Sequence, residues 1–375
     1  MKFTVDSAVL TDSVNWVSRN LSTRPIMTAL LGIVIDAQND VTLSASDLET
    51  STKSSFEADI KEKGRVLVPG RLLSEISKAL PNKTVSFALD GSRVLVTAGS
   101  AKFTLPTLPI NEYPNLPNLP ETSGNIGSEL FATAVNQVAI AAGRDDSLPT
   151  LTGIHVDINK ETITLAATDR YRLAVREINW TPNDPELTTS ALLRARTLAD
   201  AARHIASTKN ISFAIAPTAS NERLVGFASD SKLMTSRQLD GTFPPYRHLL
   251  PSESTATAVI EVAKLLDSVR RVALVTDKTI PLRLKFNANN LHLEAGAGDD
   301  AQATEELEIK YSGEAIDIAF NPTFLTDGLT ALGTPFVNIA FTGSNKPAML
   351  SGKTKIDGDI DGSYRYLLMP MRYAS

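Results

Sequence analysis

The chain has 375 residues, 42% of them apolar, and a formal net charge of −5. That is enough apolar material for two or three cores, and the acidic balance taken alone argues against a polyanion as partner. There is no cysteine, which excludes disulfides and cysteine-ligated zinc and fits a reducing, cytoplasmic setting. The start MKFTVDSAVL lacks a leader pattern, and no run approaches roughly 18 apolar residues, so neither a signal peptide nor a membrane span is expected.

In chain order, Leu10, Val14, Val17 and Leu21 recur at i, i+4, i+7 and i+11, the spacing of one apolar helix stripe. Alternating runs at 32–35 and 41–44 predict strands. Leu72, Ile76 and Ala79 predict a second helix, with Pro69 ahead of it suiting a first turn. Runs at 85–89 and 93–98 flank the turn pair Asp90-Gly91 and predict a hairpin. The proline-rich stretch 106–127 reads as a linker.

The order then returns. Phe131, Val135, Val138 and Ala142 predict a helix, 154–158 and 163–166 strands, Leu198, Ala202 and Ile205 a helix, and 211–216 and 224–228 strands. A second Pro/Ser/Thr stretch covers 243–257. After it come a helix on Val262, Leu266, Val269 and Ala273, strands at 282–286 and 291–294 around Asn289-Asn290, and a strand at 316–320. A helix on Leu325, Leu329 and Leu332 follows Pro322, and a strand at 337–341 follows that. The second helices stand 126 and 127 residues apart, a period the size of a small domain. The expectation is α+β: three tandem domains, 1–120, 121–251 and 252–375, each with two helices packed on antiparallel sheets of roughly eight strands in all.

Charge is divided by element. The six helical segments with their flanks hold twelve basic and seven acidic residues, which leaves ten net negative charges for the rest. Helices that face a polyanion while strands face solvent fit this pattern, and so do ordinary solvated helices.

No catalytic constellation is present. His155, His204, His248 and His292 show no metal-ligand spacing, and there is no nucleophile elbow or phosphate-binding loop. The run 296–300 reads as a polar hairpin turn more readily than as a metal loop. Asp169 reads as a turn aspartate bonding its own backbone more readily than as a lone catalytic carboxylate. No metal, cofactor or enzymatic activity is expected. The rival readings are an enzyme built of repeated domains and a monomeric peptide-binding adaptor.

The C-terminal Tyr366-Leu367-Leu368-Met369-Pro370-Met371-Arg372 resembles the terminal motif of the bacterial replicative sliding clamps, the β subunits of DNA polymerase III. Thr23-Arg24-Pro25-Ile26, Val68-Pro69-Gly70-Arg71, Phe103-Thr104-Leu105-Pro106 and Glu112-Tyr113-Pro114 agree in order and spacing. So do 167–173, Asp240-Gly241-Thr242-Phe243-Pro244 and Tyr311-Ser312-Gly313. The run 170–177 is similar to the actinobacterial branch.

The resemblance implies a head-to-tail homodimeric ring of six domains, helices lining the hole, that encircles double-stranded DNA. It implies a processivity factor that tethers the polymerase α subunit, the clamp-loader δ subunit and other proteins carrying short hydrophobic motifs. It places DNA contacts at Arg24 and Arg71, with Arg144, Arg194, Arg196 and Arg203 as further candidates. It places a peptide pocket at Leu151, Thr168, Arg170, Tyr171, Arg172, Leu173, Pro244, His248, Leu249, Leu367, Met369, Pro370, Met371 and Arg372. It places the chain–chain contact at Phe103 and Leu105 against Leu274 and Val275.

Overall fold

The computed structural model describes residues 1–22, 26–205, 208–216, 223–229, 231–276, 280–296 and 301–372. Arg24 and most of the 296–300 run lie outside the described residues. The first third of the chain runs β1 (Lys2–Asp6), α1 (Ser7–Ser18), β2 (Gly32–Ala37), β3 (Val41–Ser46), β4 (Thr50–Phe56), β5 (Asp59–Glu62), β6 (Gly64–Pro69), α2 (Gly70–Ala79), β7 (Thr84–Asp90), β8 (Arg93–Ala98) and β9 (Ala101–Pro106). The central third runs β10 (Thr122–Gly127), α3 (Ser128–Ala139), β11 (Gly153–Asn159), β12 (Thr162–Thr168), β13 (Arg172–Asn179), β14 (Thr181–Pro182), β15 (Thr188–Arg194), α4 (Ala195–Ile205), β16 (Asn210–Ile215), β17 (Leu224–Ala228) and β18 (Lys232–Arg237). The last third runs β19 (Ala256–Glu261), α5 (Val262–Val272), β20 (Leu282–Asn287), β21 (Asn290–Ala295), β22 (Ala303–Glu308), β23 (Lys310–Gly313), β24 (Ile316–Phe320), α6 (Pro322–Leu332), β25 (Phe336–Phe341), β26 (Ala348–Lys353) and β27 (Ile360–Leu368). All three follow one order: strand, helix, five strands, helix, three strands.

Local chemistry starts and stops the helices. The Asp6 carboxylate accepts from the Ala8 N–H at 2.8 Å and caps α1. Asn321 accepts from the N–H groups of Thr323 and Phe324, Pro322 opens α6, and Gly333 ends it at φ +66°. Leu10, Val14 and Val17 of α1 and Leu325, Leu329 and Leu332 of α6 are buried, as their spacing predicts. In α2 only Ile76 of the expected Leu72, Ile76 and Ala79 is buried. Leu73 and Ile76 are buried while Leu72 is 40% exposed, because the helix packs with Gly70 so close to Leu21 that a Cβ there would stand 2.6 Å from its Cδ1.

Every strand expected from alternation forms. Among those not expected, β4 reads TSTKSSF and β22 reads ATEELE, with little apolar alternation, and β10 lies inside the stretch taken for a linker. Thirds one, two and three hold nine strands each among the described residues.

By internal contact the chain forms two units, and both draw on the central third. The first comprises Met1–Glu129, Trp180–Pro185 and Asp200–Gln238. It holds a five-stranded sheet, β5-β1-β7-β8-β9, and a nine-stranded sheet, β14-β10-β16-β17-β18-β4-β3-β2-β6. The second comprises Leu130–Asn179, Glu186–Ala199 and Leu239–Ser375. It holds a nine-stranded sheet, β15-β11-β12-β13-β27-β26-β25-β19-β23, and a four-stranded sheet, β22-β21-β20-β24.

Each long sheet contains a seam where two thirds meet. In the first, β18 lies antiparallel to β4 with Thr235 opposite Ser51 and their hydroxyls 2.5 Å apart. In the second, β27 lies antiparallel to β13 with Leu368 opposite Arg172. One rule covers both: the ninth strand of a third pairs with the fourth strand of the third before it. By that rule β9 and β22, each the end strand of its sheet, are the two strands left without a seam partner among the described residues. No helix among the described residues is long and apolar enough to cross a membrane.

Candidate peptide cleft and cationic helices

The cleft is built on the turn between β12 and β13. The Asp169 Oδ1 accepts from the N–H groups of Tyr171 and Arg172, each at 3.0 Å. The Thr168 hydroxyl accepts from the Arg170 N–H at 3.1 Å and donates to the Arg172 carbonyl at 2.7 Å. Asp169 is therefore a turn aspartate, the simpler of its two sequence readings. The turn holds Arg170 at φ +78°, a left-handed conformation that costs a non-glycine residue about 1 kcal/mol or more.

Arg172 points inward and is 6% exposed. Its Nε donates to Asp169 Oδ2 at 2.9 Å, its Nη1 donates to Asp327 Oδ2 at 2.7 Å, and its guanidinium carbon lies 4.2 Å from the centroid of the Phe324 ring. Burial alone would lower its pKa, but Tyr366 and the two carboxylates more than offset this and raise it, so the charge is permanent. Asp327 and Phe324 stand on α6, and the Tyr171 ring stacks 6.4 Å from that of Phe324.

These groups surround a cleft of about 350 Å³ lined by Ala142, Gly143, Arg144, Asp145, Leu148, Leu151, Asp169, Arg170, Tyr171, Arg172, Thr323, Phe324 and Asp327. Behind it lies an apolar cluster of Ala166, Leu173, Val175, Leu192, Phe243, Tyr246 and Leu367, with Leu239, Leu250 and Met349 packed against it. The chain end is tied down beside the turn. The Met369 N–H donates to the Tyr171 carbonyl at 2.9 Å, and the Met371 N–H to the Ala319 carbonyl at 2.8 Å. Met369 and Arg372 are exposed, and Pro370 and Met371 are half-buried.

Of the expected pocket residues, Leu151, Arg170, Tyr171 and Arg172 line this cleft. Leu173 and Leu367 form the cluster behind it, and Thr168 fixes the turn. Pro244, His248 and Leu249 are exposed on the 243–250 segment, and none of them lines the cleft, nor do Met369, Pro370, Met371 and Arg372. Phe324 and Asp327 are the wall that sequence reasoning missed. Asp327 stands 155 residues from Arg172, and on a helix of core spacing nothing marks Phe324 as lining a cleft.

The cationic helices are less positive than their composition. Lys264 pairs with Glu261, Arg270 with Asp267, Arg271 with Glu305, and Arg203 with Asp200. Arg194, at the end of β15, stands 3.3 Å from Asp146. Arg71 on α2 and Arg196 on α4 are exposed and form no ion pair among the described residues, as do Lys78 and Lys209. Arg144 lies beyond the end of α3 and lines the cleft.

The expected chain–chain residues divide. Leu274 is 83% exposed on a 3-10 turn after α5, Val275 and Phe103 are half-buried, and Leu105 is fully buried. Leu105 therefore corrects its expectation. On β9 its side chain packs into the core of its own sheet, so only its backbone can face a neighbour.

Three family models match the chain in order. They are the N-terminal domain of the DNA polymerase III beta subunit over residues 1–117, the central domain over 125–245 and the C-terminal domain over 247–372. A beta sliding clamp from Streptomyces coelicolor is 47% identical over 373 residues, covering 99% of both chains. One from Micrococcus luteus is 46% identical over 82% of this chain and 98% of its own length. The crystal structure of the DNA polymerase III beta subunit from Thermotoga maritima shares the fold, with a TM-score of 0.90 over the whole of both chains at 24% identity. With all three domains matched in order and the Streptomyces coelicolor relative 47% identical over 99% of the chain, the chain belongs to the DNA polymerase III beta subunit family.

Proposed function

We propose that two copies of this chain close head to tail into a ring of six domains, 1–120, 121–251 and 252–375 from each. The ring works in the cytoplasm as a sliding clamp: it encircles duplex DNA and acts as a non-catalytic processivity factor. The observation that carries the ring is the seam rule. Within one chain it leaves β9 and β22 as unpaired edges, and β9 of one copy beside β22 of the next satisfies it twice. Unpaired edges invite promiscuous pairing. The three glutamates of β22 oppose that, while Lys102 on β9 offers a complementary charge.

Holding is topological, so the attraction to DNA need only be weak. Arg71 and Arg196, with Arg24, Arg194 and Arg203 as further members, contact phosphate without reading bases. The cleft takes short hydrophobic motifs: its aromatic and leucine walls and the flexible methionines nearby suit such ligands. Arg144 belongs to the cleft rim in this reading. The polymerase α subunit and the clamp-loader δ subunit are the motif carriers.

Sedimentation velocity tests the ring. A dimer at micromolar concentration is the expected result, and a monomer would favour the adaptor reading. Anisotropy with a labelled hydrophobic pentapeptide tests the cleft. Arg71→Ala with Arg196→Ala should lower the salt-dependence slope of DNA retention by about two, roughly one per phosphate contact, with the dimer intact.

A further inference from the structure

We infer that Arg172 and Asp327 are positioning residues of the cleft. Together they set the separation of its Tyr171 and Phe324 walls and do not themselves contact the peptide. The inference rests on the reading of the cleft as a peptide site.

Two donors of Arg172 are committed to carboxylates and one face of its guanidinium is covered. Nε is held by Asp169, Nη1 by Asp327, and one face of the guanidinium lies against Phe324. Asp169 uses one oxygen for that contact and the other for the backbone of Tyr171 and Arg172. One carboxylate thus fixes both the Tyr171 backbone and the arginine that supports Phe324. The Phe324 carbonyl is pinned in turn by the Tyr366 hydroxyl, which donates to it at 2.8 Å. A planar fork between two carboxylates and a ring is a geometry that lysine cannot reproduce.

The other seam shows that the frame does not need an arginine. The turn between β3 and β4 makes the same bonds. Asp47 Oδ1 accepts from the N–H groups of Glu49 and Thr50, and the Ser46 hydroxyl accepts from Leu48 and donates to the Thr50 carbonyl. Thr50 holds the place of Arg172 and Glu49 that of Tyr171, and β18 pairs with β4 all the same. The arginine occurs where the aromatic walls occur, which ties it to the cleft and not to strand pairing.

The test measures anisotropy of two labelled hydrophobic pentapeptides, one with an acidic flank and one with a neutral flank. The proteins are the wild type, Arg172→Lys, Asp327→Asn and the double variant, each checked for dimer mass and melting temperature. Both single variants should weaken both peptides equally, by roughly tenfold, the effect of losing an outer supporting contact at a pre-organised site. The double variant should be little worse than either single one. A loss confined to the acidic peptide would mean that Arg172 contacts ligand, and unchanged affinities would mean that it supports nothing; either overturns the inference alone. A wild type that binds neither peptide overturns the cleft reading and this inference with it. In the peptide-free protein, 3-fluorotyrosine at position 171 should shift its fluorine resonance in Asp327→Asn, and an unshifted resonance also overturns the inference.

Discussion

The two seams are the same frame carrying different side chains. At each, a Ser/Thr-Asp pair caps a tight turn whose third residue is left-handed, Leu48 at φ +81° and Arg170 at φ +78°. At each, the strand arriving from the following third ends with an N–H donated to the fourth turn residue. Arg237 donates to the Glu49 carbonyl at 2.8 Å and Met369 to the Tyr171 carbonyl at 2.9 Å. The first seam carries Leu48, Glu49 and Thr50 on this frame, and the second carries Arg170, Tyr171 and Arg172. On α6, Phe324 and Asp327 complete a cleft. On α4 the acid at the matching helix position, Asp200, pairs with Arg203 instead. Hydrogen bonds of the backbone build the seam, and a handful of side chains turn one copy of it into a cleft.

The largest expected difference between the seams comes from removing the residue after the turn. Arg172→Ala leaves Asp169 and Asp327 without their cation and should cost about 3 kcal/mol of stability, the low end for a broken buried pair because Asp327 is partly open to water. Thr50→Ala removes no charge and should cost about 1 kcal/mol. Urea unfolding of both variants measures the gap, and equal losses would mean that Arg172 is no more than a buried side chain.

The third seam proposed between copies should be broken by Leu274→Glu. A charge placed in an interface centre should cost about 2 kcal/mol or more of association. Light scattering should then show monomers whose melting temperature at fixed concentration reports both internal seams intact. A persistent dimer would remove Leu274 from the contact.

Asp47→Ala and Asp169→Ala delete the same two backbone bonds. Asp169→Ala should cost about 1–2 kcal/mol more, because it also frees Arg172 Nε in a buried place. Identical costs would argue that Asp327 alone satisfies the arginine.

The smallest effect is on pH dependence, and it should take the same sign in both units. Burial is the first cause that pushes His155 in the second unit and His204 in the first below the usual imidazole pKa. Asp157 and the Asp200 carbonyl oppose that shift without cancelling it. With folded values depressed, the unfolded chain binds the extra protons. Stability should therefore decline as pH falls below about 6.5, the ordinary histidine value. His155→Phe, which keeps a ring stacked on Phe243, should flatten that decline in thermal melts at pH 5 to 8. An unchanged slope would show that His155 is not one of the groups responsible.

Much of this was legible in residue order. The threefold recurrence of helical stripes, the strands that alternate and the turn role of Asp169 depend on neighbours a few positions apart, and local chemistry acts over that range. The C-terminal motif and the ordered family segments made the clamp resemblance visible. Other features are decided by residues far apart in sequence. Leu105 turns its side chain into its own core because of the sheet face that β9 presents. Leu72 faces out because Gly70 sets the rotation of α2. Four helical cations, Arg203, Lys264, Arg270 and Arg271, lose part of their field to carboxylates, and Glu305, opposite Arg271, stands 34 residues away in the chain. Above all, Arg172, Phe324 and Asp327 meet only because β27 lies beside β13 and brings α6 with it. No sequence spacing encodes that meeting, since strand pairing at a seam is settled by backbone hydrogen bonds and packing between segments more than a hundred residues apart.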